Sequence, residues 1–196
     1  MKFEEFINLF DYPGSIILLE GKRKVKSDDE IKLFQLAKII AKNTKYMKFR
    51  SGNAGGSDDF FARGIAEIDK SRMQVIIPYN DFRKKSNLGF ETFSLDDIDL
   101  NQENEVIKIT QHHKSTIALQ NKYLNGERNR IVKKASFLFR DTIKAIGTSK
   151  IPKASAGIFY DDLENPLQGG TGFTIQICQQ FSIPFFNQRV WFEWVN

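Results

Sequence analysis

The chain has 196 residues and a formal net charge of +5, from 29 Lys and Arg against 24 Asp and Glu, a length that suits one domain over residues 1–196. A hydrophobic share of 41% with 27% charged residues excludes a disordered chain, and no apolar run approaches the roughly 20 residues that cross a bilayer, so no membrane partner is expected. The opening MKFEEFINLF has acids where a secretion signal needs a basic end, and the single cysteine, Cys178, excludes an internal disulfide, so a cytoplasmic setting is expected.

After a short opening helix, Tyr12-Pro13-Gly14 predicts a turn, and Ser15 to Leu19 is a continuous apolar run of strand length. The basic run Lys22-Arg23-Lys24-Val25-Lys26 follows, then a helix in which Ser27 and Glu30 have capping-box spacing. Tyr46 to Phe49 reads as a second strand, running into the glycine-rich turn Arg50 to Asp58 and a helix to about Ile68. Met73 to Ile77 is a third strand, stopped by Pro78. Residues 80–126 are polar and weakly periodic, and read as a helical or irregular insertion. Arg128 to Ile146 predicts a helix with Ile131, Ala135, Leu138, Phe139, Thr142 and Ile143 on its apolar side. A strand over Ser155 to Tyr160, a helix opened by Gly169-Gly170-Thr171-Gly172 and a short strand at Ile183 to Phe186 complete the pattern. Strands alternating with helices require crossovers, so the sheet is expected to be mainly parallel.

Two glycine-rich turns therefore each follow a strand and open a helix. Glycine lets the backbone approach a ligand, and the first helical N–H groups point outward without intrahelical partners. The helix dipole adds about 0.3–1 kcal/mol for a nearby anion, which makes phosphate the natural guest. In a parallel sheet both turns lie on the edge formed by the strand carboxyl ends, as does the basic loop after the first strand. Neither turn matches GxGxxG, and GxxxxGK[ST] is absent, which disfavours a dehydrogenase and a P-loop NTPase.

The stretches ILLEGKRKV, RSGNAGGSDDFFARG and VIIPY, with RDTIKAIG and GGTGFTIQICQQFSIPFFNQ further on, resemble the SLOG superfamily. That group includes the "lonely guy" phosphoribohydrolases, once misnamed lysine decarboxylases, and the Smf-type DNA-processing proteins. The likeness covers residues 15–79 and 135–190. It implies a Rossmann-like α/β domain of the SLOG type and a nucleotide or nucleotide-derived ligand. Gly169, Gly170, Thr171, Gly172 and Thr174 would hold its phosphate. Gly52, Ala54, Gly55, Gly56, Ser57 and Asp58 would line the other side, with Arg23, Arg50 or Arg140 supplying charge. It also implies a homodimer.

The phosphoribohydrolases carry PGGxGTxxE, and here Gln168 stands for the proline, Phe173 for the threonine and Gln176 for the glutamate. A glutamine cannot carry negative charge towards an oxocarbenium-like centre or shuttle a proton. Binding of a phosphate-bearing nucleotide is therefore the preferred expectation. N-glycoside hydrolysis through Arg140 and Gln176 is the alternative, with Glu20 and Asp58 as other carboxylates within reach. Single-stranded DNA binding, suggested by the Smf-type relatives, is a further alternative that needs a basic groove with exposed aromatics. No metal site is expected. His112 and His113 are adjacent and diverge in helix or strand alike, and Asp96, Asp97 and Asp99 fit no EF-hand loop. Cys178, Trp191 and Trp194 read as packing residues.

Overall fold

The computed structural model describes residues 1–112 and 114–195; His113 lies outside them. All strand pairings are parallel, and six strands form one sheet in the order β4-β3-β2-β1-β5-β6. These are β1 (Ile16–Gly21), β2 (Lys48–Ser51), β3 (Met73–Ile77), β4 (Glu91–Ser94), β5 (Ala156–Tyr160) and β6 (Phe185–Asn187). The helices are α1 (Phe3–Phe10), α2 (Ser27–Asn43), α3 (Ser57–Asp69), α4 (Asn104–Thr110), α5 (Ile117–Leu124), α6 (Lys133–Ile146), α7 (Gly169–Gln180) and α8 (Gln188–Trp191). Among the described residues no helix is long and apolar enough to cross a membrane.

The two-residue period of the strands sorts the core into layers. Ile17, Leu19, Phe49, Val75 and Ile158 face α1, α2, α3 and α8, where they meet Phe6, Leu36, Phe61 and Trp191. Leu18, Ile76 and Phe159 face the opposite way, onto α6 and α7. Each fully buried side chain of this size contributes about 1.5–3 kcal/mol relative to exposure. Trp191 and Trp194 are core residues, the former donating its indole N–H to the Phe159 carbonyl at 3.0 Å. Cys178 is fully buried, and that burial pushes its thiol up to about 12.

Several elements differ from the expectations. Arg50 and Ser51 continue β2 and do not start the glycine turn. Segment 80–126, expected to be helical or irregular, contains α4, α5 and several 3-10 turns but also supplies β4, an edge strand whose polar sequence ETFS hides it. Helix α6 begins at Lys133, because the Asn129 side chain accepts the Ile131 and Val132 amides at 3.0 and 2.9 Å and forms a turn there. Ile131 is consequently 66% exposed rather than on the apolar side. Ser27 does not cap α2; it is already helical, behind Lys26.

The strand order reverses between β1 and β5. After β1 the chain builds outward through β2, β3 and β4, then returns to lay β5 on the other side of β1. The two connections leaving the β1 and β5 carboxyl ends therefore diverge to opposite faces, and a crevice opens between them.

Candidate functional site

A cleft of about 290 Å³ occupies that crevice. The β1 end and the loop after it supply Glu20, Gly21, Lys22 and Arg23; the turn after β2 supplies Ala54 and Asp58. Helix α6 contributes Arg140, Asp141 and Lys144, and the start of α7 contributes Gln168 to Thr171. Both glycine-rich turns thus reach one cleft.

Its floor is a chain of buried charges. Glu20 follows Leu18 on the same strand face, so its carboxylate points at α6, where Lys144 Nζ lies 2.6 Å from Oε2. Lys144 also contacts Asp141 Oδ1 at 2.8 Å, and the same oxygen accepts Arg140 Nη2 at 2.7 Å and Nε at 3.1 Å. Arg140 Nη1 donates in turn to the Gly52 carbonyl at 3.2 Å. Glu20 Oε1 is buried and has no hydrogen-bond partner.

Burial pushes the Glu20 carboxyl up to about 7; Lys144 opposes that rise, while the nearby Asp58 and Asp141 charges add to it. Burial would likewise raise Asp141, but Arg140 and Lys144 outweigh it and hold the group below the usual carboxylate range. Burial works against the charge on Arg140 and Lys144, and the carboxylates they contact hold both above their ordinary values.

The two glycine turns are built differently. In the turn after β2 the would-be anion position is filled by the protein. Asp58 accepts the Gly52 and Ala54 amides at 3.0 and 3.2 Å, and the Ser57 amide and hydroxyl both donate to the Lys22 carbonyl, at 3.3 and 2.7 Å. Gly56 has φ +80°, and a Cβ there would sit 2.1 Å from the Arg23 carbonyl oxygen. That glycine is required by protein packing rather than by a ligand. Gly55 lies beneath Arg83, whose Nη1 would be 3.1 Å from an added Cβ.

Among the described residues, the turn at α7 has no such internal acceptor of its amides, although Asp141 Oδ2 lies 3.1 Å from where a Cβ on Gly170 would sit. No side chain caps the helix; its first closure is the Gly172 amide to the Gln168 carbonyl at 3.1 Å. The amides of Gly169, Gly170 and Thr171 precede that bond and belong to the set that has no intrahelical partner. Gly172 is pressed against the backbone of Leu167, where a Cβ would come within 1.9 Å of the carbonyl carbon. The Thr174 hydroxyl turns inward to the Gly170 carbonyl at 3.1 Å.

Of the residues expected at a site, the cleft therefore brings together Arg23, Ala54, Asp58, Arg140, Gly169, Gly170 and Thr171. Gly52, Gly55, Gly56, Ser57, Gly172 and Thr174, expected as ligand residues, are not among those that line it. Arg50 is elsewhere. It is fully buried on β2, with its guanidinium directed to Gln74 Oε1 at 3.0 and 3.3 Å and to the Lys144 and Pro152 carbonyls at 3.1 and 2.8 Å. Burial pushes it down to about 10. Gln176 is not among the cleft-lining residues. Lys22 contacts Asp162 at 3.5 Å, Lys24 points to solvent, and Arg23 is exposed at the rim.

Asp141 and Lys144 are the floor residues that the sequence pattern did not single out. Their signal was the run Arg140, Asp141, Lys144 inside a helix otherwise rich in apolar residues, with the acid three residues before the lysine. Among the described residues no group of three or more His, Cys, Asp or Glu side chains could hold a metal.

No family model matches the sequence, and no curated protein matches it by sequence. Among solved structures, the chain is similar to DNA processing protein A from Helicobacter pylori, studied for its single-stranded DNA binding mode. The TM-score is 0.52 and the identity 15%, over 92% of this chain and 67% of that one. At that identity the likeness is one of fold: a parallel, helix-flanked, Rossmann-like α/β architecture.

Proposed function

We propose that the cleft holds the phosphate of a nucleotide unit at the start of α7, and that this unit belongs to single-stranded DNA. The observation that carries the reading is the uncapped end of a 12-residue helix, opening at the sheet's switch point beside the exposed Arg23. Unpaired amides and a helix dipole favour an anion there, and a guanidinium at the rim adds a charge-assisted contact of about 1.5–3 kcal/mol. The similarity in fold to DNA processing protein A supports single-stranded DNA as the source of the phosphate. The net charge of +5 is compatible with a polyanion.

A second reading, a free nucleotide, is favoured by one observation. Glu20 Oε1 is buried at the cleft floor without a partner and would take a sugar hydroxyl or base N–H from an enclosed ligand. N-glycoside hydrolysis draws less support, since Gln176 stands outside the cleft.

Anisotropy of a fluorescein-labelled oligodeoxythymidylate of about 16 nucleotides, competed with thymidine monophosphate, tests the proposal. The oligonucleotide is expected to bind with a steep salt dependence, and Arg23→Ala to weaken it about tenfold or more. Tight monophosphate binding with no preference for the oligonucleotide would select the second reading. Binding of neither would overturn both.

A further inference from the structure

Beside the cleft lies an aromatic group at the margin of the core, in which only Phe82 packs against a core cluster. Tyr79, just past β3, Phe82 in the following turn, and Phe137 on α6 are all half-buried. Their ring centroids are 5.4, 6.3 and 5.7 Å apart and their planes 80, 88 and 79° to one another, so none stacks face to face on another. Tyr79 and Phe137 belong to none of the three apolar clusters that build the core.

Positive charge is interleaved with these rings. Lys133 Nζ lies 4.8 Å from the Tyr79 ring centre, and the Arg140 guanidinium 5.3 Å from that of Phe137. Arg140 is also a wall of the phosphate cleft, so the aromatic group and the cleft share a side chain. Lys133, Phe137 and Arg140 recur at i, i+4 and i+7 along one side of α6, a span of about 10 Å at 1.5 Å per residue. At its far end Lys133, Arg128, Tyr79 and Ser136, together with Asp96, line a second recess of about 240 Å³.

Two basic runs, Arg83-Lys84-Lys85 and Arg128 to Lys134, flank the rings. The neighbouring acids are engaged: Asp59 with Arg83 at 3.5 Å, Asp81 with Lys84 at 2.9 Å, and Asp96 accepting the Asn80 amide at 2.8 Å. Among the described residues, Lys85, Arg130, Lys133 and Lys134 form no ion pair with a carboxylate.

We infer that Tyr79, Phe82 and Phe137 form a stacking platform for the bases of a single strand whose phosphate sits in the α7 cleft, and that the strand continues towards the recess at Lys133. This rests on the phosphate-binding reading above. Rings with cations beside them suit a single strand, because each base brings a flat apolar face and each linkage a negative charge. The rings take bases of any identity, so the platform has little sequence preference.

The test compares Phe137→Leu and Tyr79→Leu with the unaltered protein. Leucine keeps apolar bulk but removes the planar face. Binding of oligodeoxythymidylates from one to about 16 nucleotides is read by anisotropy and competition, with unfolding curves to confirm the fold. Each variant is expected to weaken the longer oligonucleotides by about 5- to 150-fold, and Tyr79→Leu, whose ring faces Lys133 rather than Arg140, to leave thymidine monophosphate unchanged. An oligonucleotide carrying 2-aminopurine is expected to lose fluorescence on binding the unaltered protein and to lose less on binding the variants. Should the variants disturb folding, an oligonucleotide with abasic sites replaces them, and the unaltered protein should bind it weakly. Equal affinity for abasic and intact strands, or unchanged affinity in folded variants, overturns the platform while the phosphate site stands. Loss of monophosphate and oligonucleotide binding alike in the unaltered protein overturns the phosphate site itself.

Discussion

The Asp58 carboxylate, in the first turn of α3, accepts the Gly52 amide at 3.0 Å and so binds the turn that precedes its own helix. Together with the Ala54 amide at 3.2 Å, this puts an acidic side chain where the sequence pattern suggests a ligand's phosphate. The dipole that would favour a bound anion favours Asp58 instead. The β2 turn is thereby closed by its own side chain, and the phosphate is therefore proposed at the α7 turn instead.

Replacing that carboxylate should therefore loosen the fold more than it alters a ligand contact. Asp58→Ala leaves two amides without an acceptor, the first of them buried, and is expected to cost about 1–3 kcal/mol. Urea denaturation of the variant checks this through a lower midpoint at unchanged slope. Asp58→Asn, which keeps a carbonyl acceptor, should recover part of the loss.

Much of this arrangement can be read along the chain. The runs at Ser15 to Leu19 and Met73 to Ile77 are apolar enough to require strands buried on both faces, and the glycine turns locate two helix starts. What cannot be read is where charge goes once the layers close. Arg50 looks like the first residue of a glycine-rich loop, yet its strand position turns it into the sheet's second face, where Gln74 and two carbonyls meet it. Glu20 and Lys144 stand 124 residues apart, so only the packing of β1 on α6 pairs them. β4 is equally hidden, because a short edge strand needs no apolar run.

Arg50 supplies a direct check on that distinction. Arg50→Leu leaves the Gln74 carbonyl and two backbone carbonyls without their donor, an expected loss of about 1–3 kcal/mol. Arg50→Lys cannot reproduce the forked contacts and should recover little. Affinity for an oligodeoxythymidylate, measured well below the unfolding midpoint, should stay within about twofold of the unaltered protein's in any variant that still folds. A selective loss of affinity at full stability would return Arg50 to the ligand site.

Gly56 predicts a coupling between the two loops. Alanine at φ +80° is strained by roughly 1–2 kcal/mol, and its Cβ would meet the Arg23 carbonyl at 2.1 Å. Relief requires the β1 loop to lift, which carries Arg23 away from the cleft. Gly56→Ala should thus lower both thermal stability and oligonucleotide affinity, although residue 56 is not itself a lining residue. Gly126, also at positive φ but with nothing within 4 Å of an added Cβ, is the control: Gly126→Ala should cost some stability and leave affinity unchanged.

Glu20 makes stability depend on pH in a specific direction. Its folded-state value of about 7 lies above the ordinary 4.5, so the folded protein holds this proton more tightly than the unfolded chain. The group's unfavourable contribution is absent below about pH 4.5, grows as pH rises through the interval to about 7, and is complete above it. Glu20→Gln cannot ionise and should flatten this part of the profile: relative to the unaltered protein, its melting temperature should gain as pH rises from about 5 to about 8. Lys144 keeps Asp141 as a partner in that variant, so no cation is stranded. A bound ligand that donates a hydrogen bond to Glu20 Oε1 would favour the ionised carboxylate, and should reduce the pH dependence of the unaltered protein without affecting that of Glu20→Gln. Parallel melting profiles for the two proteins across this interval would show that Glu20 titrates as an ordinary carboxyl and that the cleft floor is already ionised well below neutral pH.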